Sequence, residues 1–175
     1  MIQYPQALEL IRSHALTGST ETVDLPGARQ RVLAEDSYYD TNIPPFNKSA
    51  MDGYACRKAD IGNELCIQET IYAGSIPAHR IGINECSKIM TGAVVPEGAD
   101  CVFVVEDAKL TEENKVFCSK PESSTNICYE GEDVKKGDMA LKKHTLLSSR
   151  HIPLLAGAGV ISPKVYCRQS SYPVD

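Results

Sequence analysis

Residues 44–55, with the sequence PPFNKSAMDGYA, constrain the fold most because they combine two prolines with two turn signals. Proline fixes φ and cannot continue a helix, so the chain must enter this stretch in an extended conformation. The polar run 47–49 predicts one turn. The pair Asp52-Gly53 predicts a second turn, in which glycine takes a positive φ at low cost. Such a loop places the Asp52 carboxylate among small neighbours at the surface.

Two interpretations of Asp52 follow from the residues alone. In the first, Asp52 only caps a turn on a rigid surface corner, because Asp-Gly turns are common in proteins. In the second, the carboxylate faces a ligand. It could then bind a Mg²⁺ carried by a phosphoanhydride, or orient an attacking or leaving oxygen.

The overall charge excludes some partners. The chain has 175 residues and a net charge of −5, and it has no Lys/Arg run longer than a pair. A protein that binds nucleic acid needs a basic surface, so we expect no nucleic-acid partner. The longest uncharged apolar run, residues 152–161, is too short to span a bilayer, so we expect no membrane association. An anionic substrate would need local groups or a bound cation to oppose the acidic charge.

The cysteines indicate the compartment. There are seven of them, at irregular spacing and with no C-x-x-C pair. This pattern fits neither a zinc site nor a small disulfide framework. Reduced thiols are typical of cytosolic proteins, and the sequence therefore predicts a cytoplasmic protein.

The order of helical and β-prone segments predicts a β-rich α+β fold. Helices are expected at residues 5–16, 28–35 and 148–155, from apolar spacing and from glycine or proline at their ends. Short β-prone runs separated by Gly, Pro and Asn fill the middle of the chain. The expected strands are 20–25, 65–72, 85–90, 100–106, 115–118 and 139–141. We expect a discontinuous mixed α/β domain (1–45 plus 124–167) with a small β-domain (46–123) inserted into it.

A second motif lies at residues 89–100, IMTGAVVPEGAD. By itself it is a strand followed by two turns, in which Thr91 could simply cap a turn. Alternatively, a Thr91 hydroxyl beside the unhindered backbone of Gly92 could meet an oxyanion or phosphate. A third motif, residues 126–133, is either an acidic turn between strands or part of a functional site.

These three motifs carry a resemblance to a known family. Residues 49–55 closely resemble the signature of the molybdopterin molybdenumtransferases, the MoeA-type and gephyrin E-domain family. Residues 89–100 resemble the second signature, Met-Thr-Gly-Ala followed by Val-Pro-Glu-Gly. Residues 126–133 resemble the Asn-Ile…Gly-Glu-Asp element, although the family usually has basic residues where Cys128 and Tyr129 stand.

The resemblance runs in order from about residue 5 to about residue 165. The family usually has glycine where this chain has Gln30, so the backbone turn there is expected to differ. The Thr-Gly-Asp-Glu stretch that opens the family's nucleotide-binding domain is not matched. We therefore expect the chain to correspond to the N-terminal region only, with the nucleotide-binding domain absent, and to be inactive alone.

The resemblance implies a fold and a reaction. The fold is a mixed α/β domain with an inserted small β-domain of coiled, bent sheets. The reaction inserts molybdate into adenylylated molybdopterin and releases AMP, with Mg²⁺ as the cofactor. The family's sites form between the subunits of a homodimer, so we expect a homodimer, with cofactor-biosynthesis proteins as further partners. The alternative is a non-catalytic dimerisation or docking module of the same fold.

The resemblance also implies a set of site residues. Asp52, Thr91 and Asp133 are the predicted catalytic residues, and Asp52 is also the predicted metal contact, through Mg²⁺-phosphate. The remaining positions are predicted to bind substrate: Asn47, Ser49, Met51, Gly53, Gly92 and Glu106.

Overall fold

The computed structural model describes residues 2–13, 18–112, 114–121 and 125–168. The chain divides into two compact units, residues 1–40 with 137–175, and residues 41–136. The sequence placed the corresponding limits at 45/46 and 123/124, and that domain division stays a prediction. The described residues form many short strands and two α-helices, so the β-rich α+β class is confirmed.

Short strands make up most of the secondary structure, with one α-helix near each end of the described chain. The two 3₁₀ turns are Lys58–Asp60 and Val105–Asp107. The helices and strands are α1 Tyr4–Ser13, β1 Thr20–Thr22, β2 Ser37–Tyr38, β3 Lys48–Ser49, β4 Gly53–Cys56, β5 Glu64–Ile71, β6 Glu85–Ile89, β7 Cys101–Val104, β8 Ala108–Glu112, β9 Lys115–Cys118, β10 Ile127–Cys128, β11 Met139–Leu141, α2 His151–Gly157 and β12 Lys164–Tyr166. Neither helix of the described chain is long and apolar enough to cross a membrane.

The first unit has two small antiparallel sheets. β1 pairs with β12, and β2 pairs with β11. The unit also holds an apolar core to which α2 contributes Leu155; its other buried members are Ala28, Leu33, Leu147 and Val165. The first predicted helix, residues 5–16, is observed as α1, while residues 14–16 lie outside the described residues.

The predicted helix at 28–35 is wrong. Residues 25–30 form turns, and Val32 and Leu33 make isolated β-bridges to Leu146 and Val165. Gln30 has a φ of 60°, a left-handed conformation that a continuing α-helix cannot contain. The expected difference from the family's backbone turn at Gln30 stays a prediction.

The second unit is built on a six-stranded sheet in the order β7-β4-β6-β5-β9-β8. Its described strand pairs are antiparallel except for β5 with β6, which are parallel. A separate antiparallel pair joins β3 to β10, with Ser49 opposite Ile127. β4 is buried along its whole length, since it lies between two neighbouring strands and both of its faces are covered.

The two faces of β4 enter different apolar clusters. Tyr54 and Cys56 pack on one face, and Ala55 packs on the other, as the two-residue period of a strand requires. The first cluster holds four fully buried thiols: Cys56, Cys86, Cys101 and Cys118. Burial raises the pKa of Cys86 to about 12, so this thiol stays protonated at neutral pH and acts as a small core residue.

Candidate functional site

Asp52 and Thr91 meet at one end of the six-stranded sheet. Asp52 immediately precedes β4, and Thr91 comes two residues after β6. Since Gly53 lies opposite Ile89 in this antiparallel pair, the start of β4 and the end of β6 are adjacent. Asp52 Oδ1 accepts two hydrogen bonds from Thr91, each at 2.7 Å, one from the backbone N–H and one from Oγ1–H. Two of the three predicted catalytic residues are therefore in direct contact.

This contact sets the charge of the carboxylate. The hydrogen bonds from the Thr91 side chain and backbone lower the pKa of Asp52 below its usual range, so Asp52 is ionised at neutral pH. Both residues are exposed. Asp52 Oδ2 accepts no hydrogen bond from any described residue. The carboxylate is thus held through one oxygen, and the other is available to a cation or a hydrogen-bond donor.

Gly53 fixes where Asp52 sits, but not by the predicted mechanism. The sequence predicted a turn with a positive φ, whereas Gly53 is the buried first residue of β4, and it is not among the residues with positive φ. A Cβ at this position would collide with the Phe103 carbonyl O and would lie 3.2 Å from Val102 Cγ1. Glycine is therefore required for close packing against β7. The Val105 N–H completes this packing by donating to Asp52 O at 3.0 Å.

Ser49 braces the loop from inside. Its side chain is buried, and Oγ donates to Met51 O at 2.6 Å and accepts from the Met51 N–H at 3.3 Å. Its backbone N–H donates to Ala93 O, and its carbonyl accepts from the Gly92 N–H at 2.8 Å. Gly92 has a φ of 81°, which glycine adopts without strain. The predicted substrate-binding roles of Ser49 and Gly92 stay predictions, with the Ser49 hydroxyl engaged inside the loop.

The other predicted residues lie on the surrounding turns. Asn47 Oδ1 accepts from the Glu130 N–H at 2.8 Å, which ties the loop to the third motif. Asp133 is exposed, and its N–H donates to Ile43 O. Glu106 is exposed in the 3₁₀ turn that follows β7. Among the described residues, no hydrogen bond joins Asp133 or Glu106 to the Asp52–Thr91 pair, and their roles stay predictions.

Asn126 is a site neighbour that the sequence prediction did not select. It has a φ of 48°, and its Nδ2 donates to Val102 O at 2.8 Å. Its carbonyl accepts from the Ala50 N–H at 2.9 Å. The available signal was its residue type, since asparagine tolerates the left-handed conformation better than other side chains that have a Cβ.

The donor set limits which metal ions could bind. Across the described ranges, no group of three or more His, Cys, Asp or Glu side chains could hold a metal ion. Asp52 offers a single carboxylate. That donor fits a Mg²⁺ that arrives on substrate phosphates and keeps several waters, and it does not fit a metal site built from protein ligands alone.

Comparison with known proteins decides the family. The family model for the MoeA N-terminal region (domain I and II) matches residues 2–159. The chain belongs to this family. The MoeA match covers all three motifs around Asp52, Thr91 and Asp133, and it confirms the resemblance stated from the sequence.

Relatives and solved structures agree with the assignment. The chain is 38% identical over 150 residues to a molybdopterin molybdenumtransferase from Haemophilus influenzae, covering 84% of this chain and 37% of that protein. It is 36% identical to the Bacillus subtilis protein of the same name, covering 85% and 37%. The crystal structure of a molybdopterin biosynthesis MoeA protein from Pyrococcus horikoshii matches with a TM-score of 0.85 at 29% identity, over 94% of this chain and 44% of that one. The chain therefore spans less than half the length of these relatives.

Proposed function

We propose that this chain is the N-terminal part of a molybdopterin molybdenumtransferase, which inserts molybdate into adenylylated molybdopterin and releases AMP. The observation that carries the proposal is the Asp52–Thr91 pair, an ionised and oriented carboxylate at the edge of a sheet. The name of the relatives supports the reaction class, because they share this region with the chain.

Each residue of the pair has a distinct role in this proposal. Thr91 donates both of its hydrogen bonds to Oδ1, and so keeps Asp52 anionic and in a single orientation. Asp52 Oδ2 would then face the phosphoanhydride, either toward its Mg²⁺ or toward the leaving oxygen. When bound, Mg²⁺ supplies positive charge against the phosphates, which an acidic chain of net charge −5 does not itself provide.

The surrounding residues complete the proposed site. Met51, exposed beside Asp52, and the backbone of Gly92 would contact the substrate, while Asp133 and Glu106 would add acidic groups from neighbouring turns. We further propose that the protein acts in the cytoplasm as a homodimer, alongside other cofactor-biosynthesis proteins. In a full-length protein of this family, the nucleotide-binding domain of the second subunit would supply the surface that faces Asp52.

Trans-complementation tests the proposal. The chain is mixed with a full-length relative whose matching Asp is replaced by Asn, and the transfer of molybdate to adenylylated molybdopterin is assayed. We expect activity to be restored by the unmodified chain and not by Asp52→Asn. Thr91→Val serves as a second variant, expected to restore less activity because the carboxylate loses its side-chain hydrogen bond. A heterodimer that forms without restoring any transfer would reject the catalytic role in favour of a non-catalytic dimerisation module.

A further inference from the structure

Asn126 connects the outer edge of β7 to the segment that precedes Asp52. Val102 in β7 donates its N–H to Thr125 O at 2.9 Å, and its carbonyl accepts from Asn126 Nδ2 at 2.8 Å. The side-chain amide of Asn126 therefore donates to Val102 O in the way that the backbone N–H of a neighbouring strand would. On its other side, the Asn126 carbonyl accepts from the Ala50 N–H.

The backbone of Asn126 makes this double contact possible. With a φ of 48°, the chain turns so that the amide group points to β7 while the carbonyl points to the loop. Asparagine is among the few residues with a Cβ that occupy this region readily, and here its amide is also hydrogen-bonded. The residue type thus meets a conformational requirement and a bonding requirement at one position.

The segment 50–52 is held against β7 at both of its ends. At one end, Val105 donates directly to Asp52 O at 3.0 Å. At the other end, Val102 is linked through Asn126 to Ala50. Without the second link, Ser49 would supply the remaining hydrogen bonds to residues 50 and 51 among the described residues. The position of Asp52 ahead of β4 would then be less restricted.

We propose that Asn126 is a positioning residue, which holds the segment 50–52 on β7 so that the Asp52 carboxylate meets Thr91. This inference takes one element from the proposed function, which is that Asp52 is the acidic group of the site. The hydrogen bonds of Asn126 described above go to Val102 and Ala50. Its effect would therefore reach the carboxylate through the loop.

The test reads the Asp52 carboxylate directly, by NMR titration of its side-chain carbonyl carbon in the folded chain. Asn126→Gly keeps the left-handed backbone and removes the amide, so we expect the pKa of Asp52 to rise toward its ordinary range. Thr91→Val should shift it in the same direction and further, because it removes the largest cause of the lowered pKa. Val116→Ala, a change in the buried core at β9, should lower the unfolding midpoint without moving the Asp52 titration.

The outcomes separate positioning from general stability. An unchanged Asp52 titration in folded Asn126→Gly would overturn the inference. If that variant does not fold, Asn126→Asp replaces it, since aspartate keeps the size and the left-handed tolerance but cannot donate to Val102 O. An unchanged titration in that variant would overturn the inference equally. A shifted titration together with failed trans-complementation would reject only the proposed function.

Discussion

The addition of one methyl group at Gly53 tests how closely the Asp52 loop depends on strand packing. In Gly53→Ala the new Cβ would collide with the Phe103 carbonyl O, lie 2.9 Å from the Phe103 carbonyl carbon and lie 3.2 Å from Val102 Cγ1. The obstacle is the backbone of the neighbouring strand, which cannot rotate away as a flexible side chain can. β4 and β7 must therefore separate at the end that carries Asp52.

The expected loss of stability is large for a single methyl group. Overpacking in a buried site costs about 1–3 kcal/mol, and the backbone obstacle places this case near 3 kcal/mol. Weakened bonds in the β4–β7 pair, at about 1 kcal/mol each, act in the same direction. With an m-value of about 2 kcal/mol/M, the urea midpoint should fall by about 1.5 M.

Gly62→Ala is the matched control. No described heavy atom lies within 4 Å of a Cβ built at Gly62, and this glycine is exposed in a turn without positive φ. We expect it to be neutral or to gain about 0.5 kcal/mol, because alanine reduces the entropy of the unfolded chain. Urea unfolding of both variants, together with the Asp52 titration of folded Gly53→Ala, measures the effect. A free energy of unfolding of Gly53→Ala within about 0.5 kcal/mol of that of Gly62→Ala would show that the Phe103 carbonyl does not restrict this position.

Three further predictions concern local energetics. Gln30→Gly should stabilise the chain by up to about 1 kcal/mol in urea unfolding, because Gln30 has a φ of 60°, which glycine adopts with less strain, and its side chain is exposed. A loss of stability would contradict this prediction. Ser87 is fully buried and its Oγ has no hydrogen-bond partner among the described residues, so Ser87→Ala should be neutral or stabilising in urea unfolding. Ser49→Ala should instead lower the free energy of unfolding by about 1–2 kcal/mol, because it removes both hydrogen bonds to Met51. Equal effects of the two variants would refute this contrast. Because the folded pKa of Asp52 is lowered, its contribution to stability is present above the unfolded pKa of about 4 and is lost as pH falls through the folded pKa. The stability difference between the unmodified chain and Thr91→Val should therefore shrink in acid, and a difference independent of pH between 2 and 6, as rough limits, would show that it has another origin.

The strands that were predicted correctly are those whose own residues form a β-prone run bounded by turn residues. β6, β9 and β11 were predicted within a residue of their observed limits, because β-branched and apolar residues there are bounded by turn residues. β8 was missed since it is an edge strand with mostly exposed side chains. β4 was missed because Gly53 suggested a turn, and only the carbonyl of Phe103, fifty residues away in sequence, shows why a glycine begins a strand.

The contact between Asp52 and Thr91 could not be predicted from the sequence. The motifs selected Asp52 and Thr91, yet their contact across 39 residues follows from the register of β4 and β6, which no local pattern specifies. The helix predicted at 28–35 failed for a similar reason. Val32 and Leu33 suit a helix face as well as a bridge, and the choice was made by partners beyond residue 140.

The supports of Asp52 explain why a loop residue can be placed as firmly as one on a strand. Gly53 allows the backbone to approach β7, Ser49 closes the turn through Met51, and Asn126 ties Ala50 to the same edge strand. Each support acts on a different atom of the segment 49–53, and each is buried or partly buried, so water competes weakly for its bonds. Thr91 then needs only its own backbone and hydroxyl to fix the carboxylate, because the loop has already restricted the position of Asp52. The position of the Asp52 carboxylate therefore depends on residues that make no hydrogen bond to the carboxylate itself.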